Sequence, residues 1–176
     1  MGKSSFMFVK GRGLVRSAIN KHVVSNPVEI TELGIVGDEQ SDKLAHGGVG
    51  QAVYAYPIEH YAFWEKNKKF KHGHFGENLT VSGILEPDVY IDDVWIIGQV
   101  KLQVTKQRTP CLKFNAKMKS PTAGKEMMQS GRTGWYLKVL AAGSVKAGDD
   151  IEIVPGPCTT SISSRVTESV NKWEAL

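Results

Sequence analysis

Apolar and polar residues alternate along most of this chain in short runs of a few residues, the period of half-buried strands. Ser5–Lys10, Val28–Leu33, Gln51–Tyr56, Glu77–Gly83, Val94–Ile97, Val100–Thr105, Trp135–Leu140 and Asp150–Val154 read as strands, with Val89–Ile91 a shorter one. Tyr54 and Tyr56 fall on one face of theirs. Helical spacing is confined to three short segments. Pro57 opens one that runs to Lys68, Cys111–Lys119 follows Pro110, and Pro121–Ser130 ends at Gly131. Glycines punctuate the strands at Gly37, Gly48, Gly83, Gly98, Gly134 and Gly148, where tight corners are expected. Many short strands with few helices predict a mainly β fold: a compact closed or nearly closed β-barrel with a few short helices. Residues 1–156 are expected to form a single domain. Residues 157–176, rich in Ser and Thr and following Pro155 and Gly156, read as a C-terminal tail with one helical turn near Val170. Asp92–Ile96 and Asp149–Ile153 echo one another, which fits two equivalent hairpin corners or chance.

Composition adds little to that picture. The 176 residues, 41% hydrophobic and 23% charged, suit one soluble domain with its own core and exclude disordered, collagen-like and disulfide-scaffold classes. No apolar run is long enough for a signal peptide or a membrane span, so a cytoplasmic protein that does not engage a membrane is expected. In such a compartment Cys111 and Cys158 stay free thiols.

Charge changes the picture more. The net +4 is unevenly distributed. Residues 1–28 carry five bases and no acid, and residues 94–125 carry seven bases and no acid. Between them residues 29–93 hold 12 acids against 5 bases. If the two acid-free stretches meet in the fold they make a positive pocket; otherwise their lysines are separate solvated side chains. The acidic middle argues against a nucleic-acid footprint. The run Lys66, Lys68, Lys69 and Lys71 reads as a solvated helix exit.

Four segments can carry chemistry. In Arg108-Thr109-Pro110-Cys111 a thiol sits at the entry of a helix among basic residues, where its pKa should fall. It could then bind a soft metal or act as a nucleophile, unless it is simply a buried structural cysteine. In the segment from Gly34 to Gly48, Asp38 and Asp42 could bind a hard metal or orient His46 as an acid/base; turn chemistry is the equal alternative. Glu77 and Asn78 offer carboxylate and amide edges to a heterocycle, or simply start a strand. Arg132, between two glycines, could reach an anion, while Trp135 and Tyr136 read as core and rim. His72 and His74 alone make a weak metal site.

Taken in order, Gly37-Asp38-x-Gln40-x-Asp42, His46-Gly47-Gly48, Ala52–Pro57, Phe75-Gly76-Glu77-Asn78-Leu79, Arg108-x-Pro110-Cys111 and Gly131-Arg132-x-Gly134-Trp135-Tyr136 resemble the MOSC family, in particular its YiiM-like branch. The resemblance runs from about Ser17 to Val154. It implies a cytoplasmic molybdenum-cofactor protein (the cofactor being molybdopterin) with Cys111 as metal ligand and as a catalytic residue with Asp38 and His46. Lys21, Arg108, Arg132, Asn78 and Glu77 are then the cofactor-binding residues. It further implies reduction of N-hydroxylated compounds, notably hydroxylaminopurine bases, to amines as detoxification. Electrons would come from a flavoprotein reductase, and the protein could be a homodimer. Pyridoxal phosphate binding is a further association of the family. A carrier of cofactor or sulfur on Cys111, without turnover, is the alternative, since related domains act beside a cysteine desulfurase. Gln51 departs from the pattern, where relatives carry a basic residue.

Overall fold

Strand patterning decides which side chains turn inward, and β8 shows it directly: Val100, Leu102 and Val104 are buried while Lys101 and Lys106 face out. A computed structural model describes residues 1–39, 48–65 and 68–175. The elements follow as β1 (Ser5–Val9), β2 (Gly13–Ser17), β3 (Val28–Thr31), β4 (Gly34–Ile35), β5 (Val53–Pro57), α1 (Tyr61–Trp64), β6 (Leu79–Val81) and β7 (Val94–Ile97). They continue with β8 (Val100–Gln107), α2 (Leu112–Met118), α3 (Ala123–Gln129), β9 (Trp135–Ala141), β10 (Gly143–Val145), β11 (Glu152–Val154) and α4 (Ile162–Glu174).

Six strands form one sheet in the order β11-β7-β8-β9-β5-β6, three more form β10-β3-β4, and β1 and β2 make a separate hairpin. Pairing in the large sheet is antiparallel except between β5 and β6. Register shifts between β8 and β9 at Lys101/Leu102 and Val104/Lys106 bend the sheet there. The result is a curled half-barrel. The expected barrel is therefore present as curvature but not closed, because no described ladder joins the three sheets. The Asp92–Ile96 echo has a different meaning from two corners: β11 pairs with β7, Ile153 opposite Trp95.

β5 is buried along its whole length and divides the interior. Val53 and Ala55 join the main core around Trp95 and Trp135, whose rings meet edge to face at 5.5 Å. Tyr54 and Tyr56 join an aromatic cluster with Tyr61, Phe75 and Phe114 beneath the helices. Gly134 is what lets the chain cross between them. Its φ is +64°, and a Cβ there would lie 2.3 Å from the Ala55 carbonyl oxygen.

The first helix is shorter than expected, because the chain leaves Pro57 through a single 3-10 turn before α1. The larger difference is at the C-terminal end. Residues read as a tail contain the thirteen-residue α4, capped by Ser161, whose Oγ accepts a bond from the Ser164 amide at 3.1 Å. Ile162 and Val166 are buried in the main core. The four-residue spacing of Ile162, Val166 and Val170 was the available signal, masked by surrounding Ser and Thr. Ile162→Ala should cost about 2–5 kcal/mol in urea unfolding, the range for emptying a packed aliphatic site. A wild-type midpoint would return this segment to the status of a tail.

Candidate functional site

β8 ends at Gln107 and delivers the loop Arg108–Cys111 to the start of α2. Cys111 is the residue before the helix. Its carbonyl accepts from the amide of Phe114 at 2.9 Å, and its side chain makes no capping bond. It is half-buried and stands where three cavities of about 100, 340 and 820 Å³ adjoin. The smallest brings Lys21 and Ile19 from the stretch after β2 together with Tyr54, Gly76, Arg108, Lys113 and Tyr136. The two acid-free stretches therefore do converge. Lys117, on α2, fastens them, donating to Ile19 O at 3.1 Å and Asn20 Oδ1 at 3.0 Å.

Arg108 is the unusual member. Its side chain is buried, with the guanidinium carbon 5.0 Å from the Tyr54 ring and 4.6 Å from the Phe114 ring. Nη1 contacts Met127 Sδ at 3.2 Å, and no ion pair to Arg108 occurs among the described residues. Burial disfavours its charge, yet the neighbouring phenols of Tyr54 and Tyr136 and the Cys111 thiol leave its pKa above the ordinary value. A cation held out of water by rings and a thioether has no carboxylate in contact with it among the described residues. The Tyr136 hydroxyl is hydrogen-bonded to Arg108, and burial raises its pKa, with Arg108 pulling the other way and Cys111 adding to the rise. It is protonated at neutral pH.

Asp38 and Lys21 meet, but as partners. Lys21 Nζ lies 2.6 and 2.5 Å from the two Asp38 oxygens, and both side chains are buried. Asp38 also accepts from the Gly2 amide at 2.6 Å and from Asn78 Nδ2 at 2.8 Å. Asn78 Oδ1 in turn accepts from the Tyr54 amide at 3.0 Å. This network pins β5 to the segment before β6, and it leaves the Asp38 carboxylate no lone pair aimed at a ligand.

Glu77 is buried and lines a different cavity, of about 220 Å³. Its Oε1 accepts from the Tyr61 hydroxyl and from the Gly73 amide at 2.8 Å, and Oε2 has no partner among the described residues. Arg132 does not enter the cleft either. Its guanidinium lies 4.4 Å from the Phe63 ring and donates to Ser130 O at 3.2 Å. Asp42 and His46 lie outside the described residues. Among those described, no group of three or more His, Cys, Asp or Glu is arranged to hold a metal ion, so His72 and His74 do not form one. Cys158 is an exposed thiol, and neither it nor Cys111 is in a disulfide among the described residues. Sequence reasoning read Tyr136 as the rim of a strand and Tyr54 only as one face of β5, and the Gly-Trp-Tyr turn was the hint that Tyr136 lies near the thiol.

A curled β-sheet that presents one cysteine and one buried arginine at a strand-to-helix turn, beside adjoining cavities, defines a class of small half-barrel domain. The MOSC domain model matches residues 42–152, and the chain belongs to that family. It is 38% identical over 143 residues to protein YiiM of Escherichia coli (strain K12), covering 78% of this chain and 64% of that protein. A protein of Gibberella moniliformis named Reductase is 34% identical over 151 residues, which is 82% of this chain and 27% of that protein. The crystal structure of YiiM from Geobacillus stearothermophilus superposes with a TM-score of 0.80 at 31% identity, over 98% of this chain and 81% of that one. This chain thus spans just under two thirds of the E. coli relative. No described helix is long and apolar enough to cross a membrane.

Proposed function

We propose that this protein is a molybdenum-cofactor-dependent oxidoreductase that reduces N-hydroxylated compounds of the hydroxylaminopurine type to amines, a detoxifying reaction. The observation that carries the reading is the pairing in one cleft of the Cys111 thiol with the buried Arg108, which has no ion pair among the described residues. A soft sulfur ligand beside a buried cation fits a metal held by anionic sulfur and oxygen donors, and the adjoining cavities leave room for a pterin. The name of the fungal relative supports reductase chemistry. Pyridoxal phosphate has no support in the relatives or in the site and is not part of the proposal.

The overall reaction takes R–NHOH, two electrons and two protons to R–NH2 and water. When bound, the cofactor supplies the two-electron, oxygen-accepting chemistry. The chain supplies the rest. Cys111 would hold the metal. Arg108 compensates negative charge at the cleft and cannot lose its proton at working pH. The hydroxyl of Tyr136, held by Arg108, is the described group that carries a proton at the N–O bond, and His46 is the further candidate. Asp38 positions Lys21 rather than donating. A flavoprotein reductase is the electron donor in this scheme, and a homodimer in the cytoplasm is compatible with it.

Two measurements test this. Protein from cells that make the cofactor should contain molybdenum and pterin and turn over 6-hydroxylaminopurine with a reductant. Metal-free, inactive protein carrying a persulfide on Cys111 would replace the proposal with the carrier reading. Tyr136→Phe should lower kcat by about 10²-fold or more with KM little changed, the usual loss for a general acid. Full activity in that variant would move the proton to His46.

A further inference from the structure

The lysines that read as a solvated helix exit do not stand apart in the fold. Lys68, Lys69 and Lys71 face Lys3 and Lys117 across an open groove of about 970 Å³, which also takes in His74 and touches Lys21 on the rim of the cysteine cleft. Lys69 pairs with Glu65 at 2.7 Å and Lys21 with Asp38. Lys3, Lys68, Lys71 and Lys117 form no ion pair among the described residues. Four cations thus share one concavity with no ion pair among the described residues, Glu39 near Lys3 and Glu77 near Lys117 being the acids that act on them at longer range.

The groove also has a fixed point. Lys117 is half-buried, and two of its three N–H bonds go to Ile19 O and Asn20 Oδ1, which holds the ammonium in place with one donor unassigned. Beside it the His74 ring is stacked on Phe70 at 4.0 Å between centroids. The charges strain one another. Burial, with Lys21 and Arg108 adding to it against Glu77, brings Lys117 down to about 8. Burial and then Lys117 and Lys68 bring His74 down to about 4, so that it is neutral at pH 7. An anion in the groove would offset both the cost of burying the Lys117 charge and the smaller repulsion from its basic neighbours.

We propose that this groove binds the phosphate of a small phosphorylated molecule, either a mononucleotide or a free diphosphate, with Lys117 as its fixed contact and Lys3, Lys68 and Lys71 closing over it. A half-buried donor suits a compact anion that reaches inward; a macromolecular acidic surface would meet only the exposed lysines. The assignment stands on the groove and not on the reductase reading, since binding is measured without turnover.

Isothermal titration of the full chain at neutral pH and low salt with pyrophosphate, AMP and adenosine tests it. AMP and pyrophosphate should bind and adenosine should not. AMP the tighter of the two assigns a nucleotide, and pyrophosphate the tighter assigns the free diphosphate. Lys117→Met should weaken binding ~10–100-fold, as loss of a charge-assisted bond does. Because Lys117 also ties two segments together, the surface pair Lys68→Ser/Lys71→Ser is the second variant, expected to weaken binding about 3–10-fold. Cys111→Ser should bind as wild type. Absence of binding by both phosphates, or wild-type affinity in both lysine variants, overturns the proposal. A single-stranded oligonucleotide binding ~100-fold tighter than AMP, with a steep salt dependence, would also overturn it in favour of a nucleic-acid surface.

Discussion

Cys111→Ser is expected to keep its fold and, on the proposed function, to lose bound molybdenum and the reduction of hydroxylaminopurine. The position precedes α2, where a serine oxygen can accept from the helix amides, a role the thiol does not fill. Thermal stability is therefore expected to stay the same or rise slightly. Metal binding is another matter, because a serine hydroxyl is a harder donor that is not deprotonated at neutral pH. Removing an outer partner of a metal ligand already costs ~10–100-fold, and removing the ligand itself should exceed that. The control is Cys158→Ser, an exposed thiol whose one contact is with Gly156 O, which should be silent in metal content and activity. Metal analysis and turnover of the three proteins, side by side with their melting curves, check it. Wild-type activity in Cys111→Ser would end the reductase proposal as framed here.

Asp38→Ala is expected to destabilise the protein by about 3–5 kcal/mol, the cost of leaving a buried ion-pair partner uncompensated. The carboxylate holds three donors: the Lys21 ammonium, the Gly2 amide and Asn78 Nδ2. Its loss strands a lysine whose side chain is only 8% exposed. A double variant, Asp38→Ala with Lys21→Met, separates the causes. If the stranded charge dominates, the double variant is more stable than Asp38→Ala alone, a coupling that urea unfolding resolves. Wild-type stability in Asp38→Ala combined with a lost proton-transfer limb in the pH–rate profile would instead make Asp38 the acid, as its place beside His46 in the sequence suggests.

The contrast between Cys111 and Asp38 shows what kind of information a sequence carries about a site. Cys111 is recognisable because its environment is local: Arg108, Pro110 and the following helix are all within a few residues. Asp38 looks equally chemical, but its partners Gly2, Lys21 and Asn78 are 36, 17 and 40 positions away. Nothing near it in the chain says that its oxygens are taken. Arg132 was misplaced for the same reason. Its setting between glycines suggested freedom to reach an anion, whereas Phe63, remote in sequence, supplies a ring for it to lie on. Tyr136 is the converse, a strand residue whose neighbours across the fold, Arg108 and Cys111, turn a rim aromatic into a site group.

By itself the sequence determined the mainly β architecture, the bounds of β7 and closely those of β8 and β9, the two faces of β5 and the segment that holds the thiol. These follow from periodicity and from contacts a few residues apart, which a linear reading captures. Tertiary structure alone decided how far the sheet closes, that residues 162–174 pack as a helix on the core, and which polar groups face a cavity instead of each other. The physical reason is common to all three. A strand edge, an amphipathic helix and a charged side chain each need a partner, and the same residues are structural or functional according to whether a distant part of the chain has already supplied one.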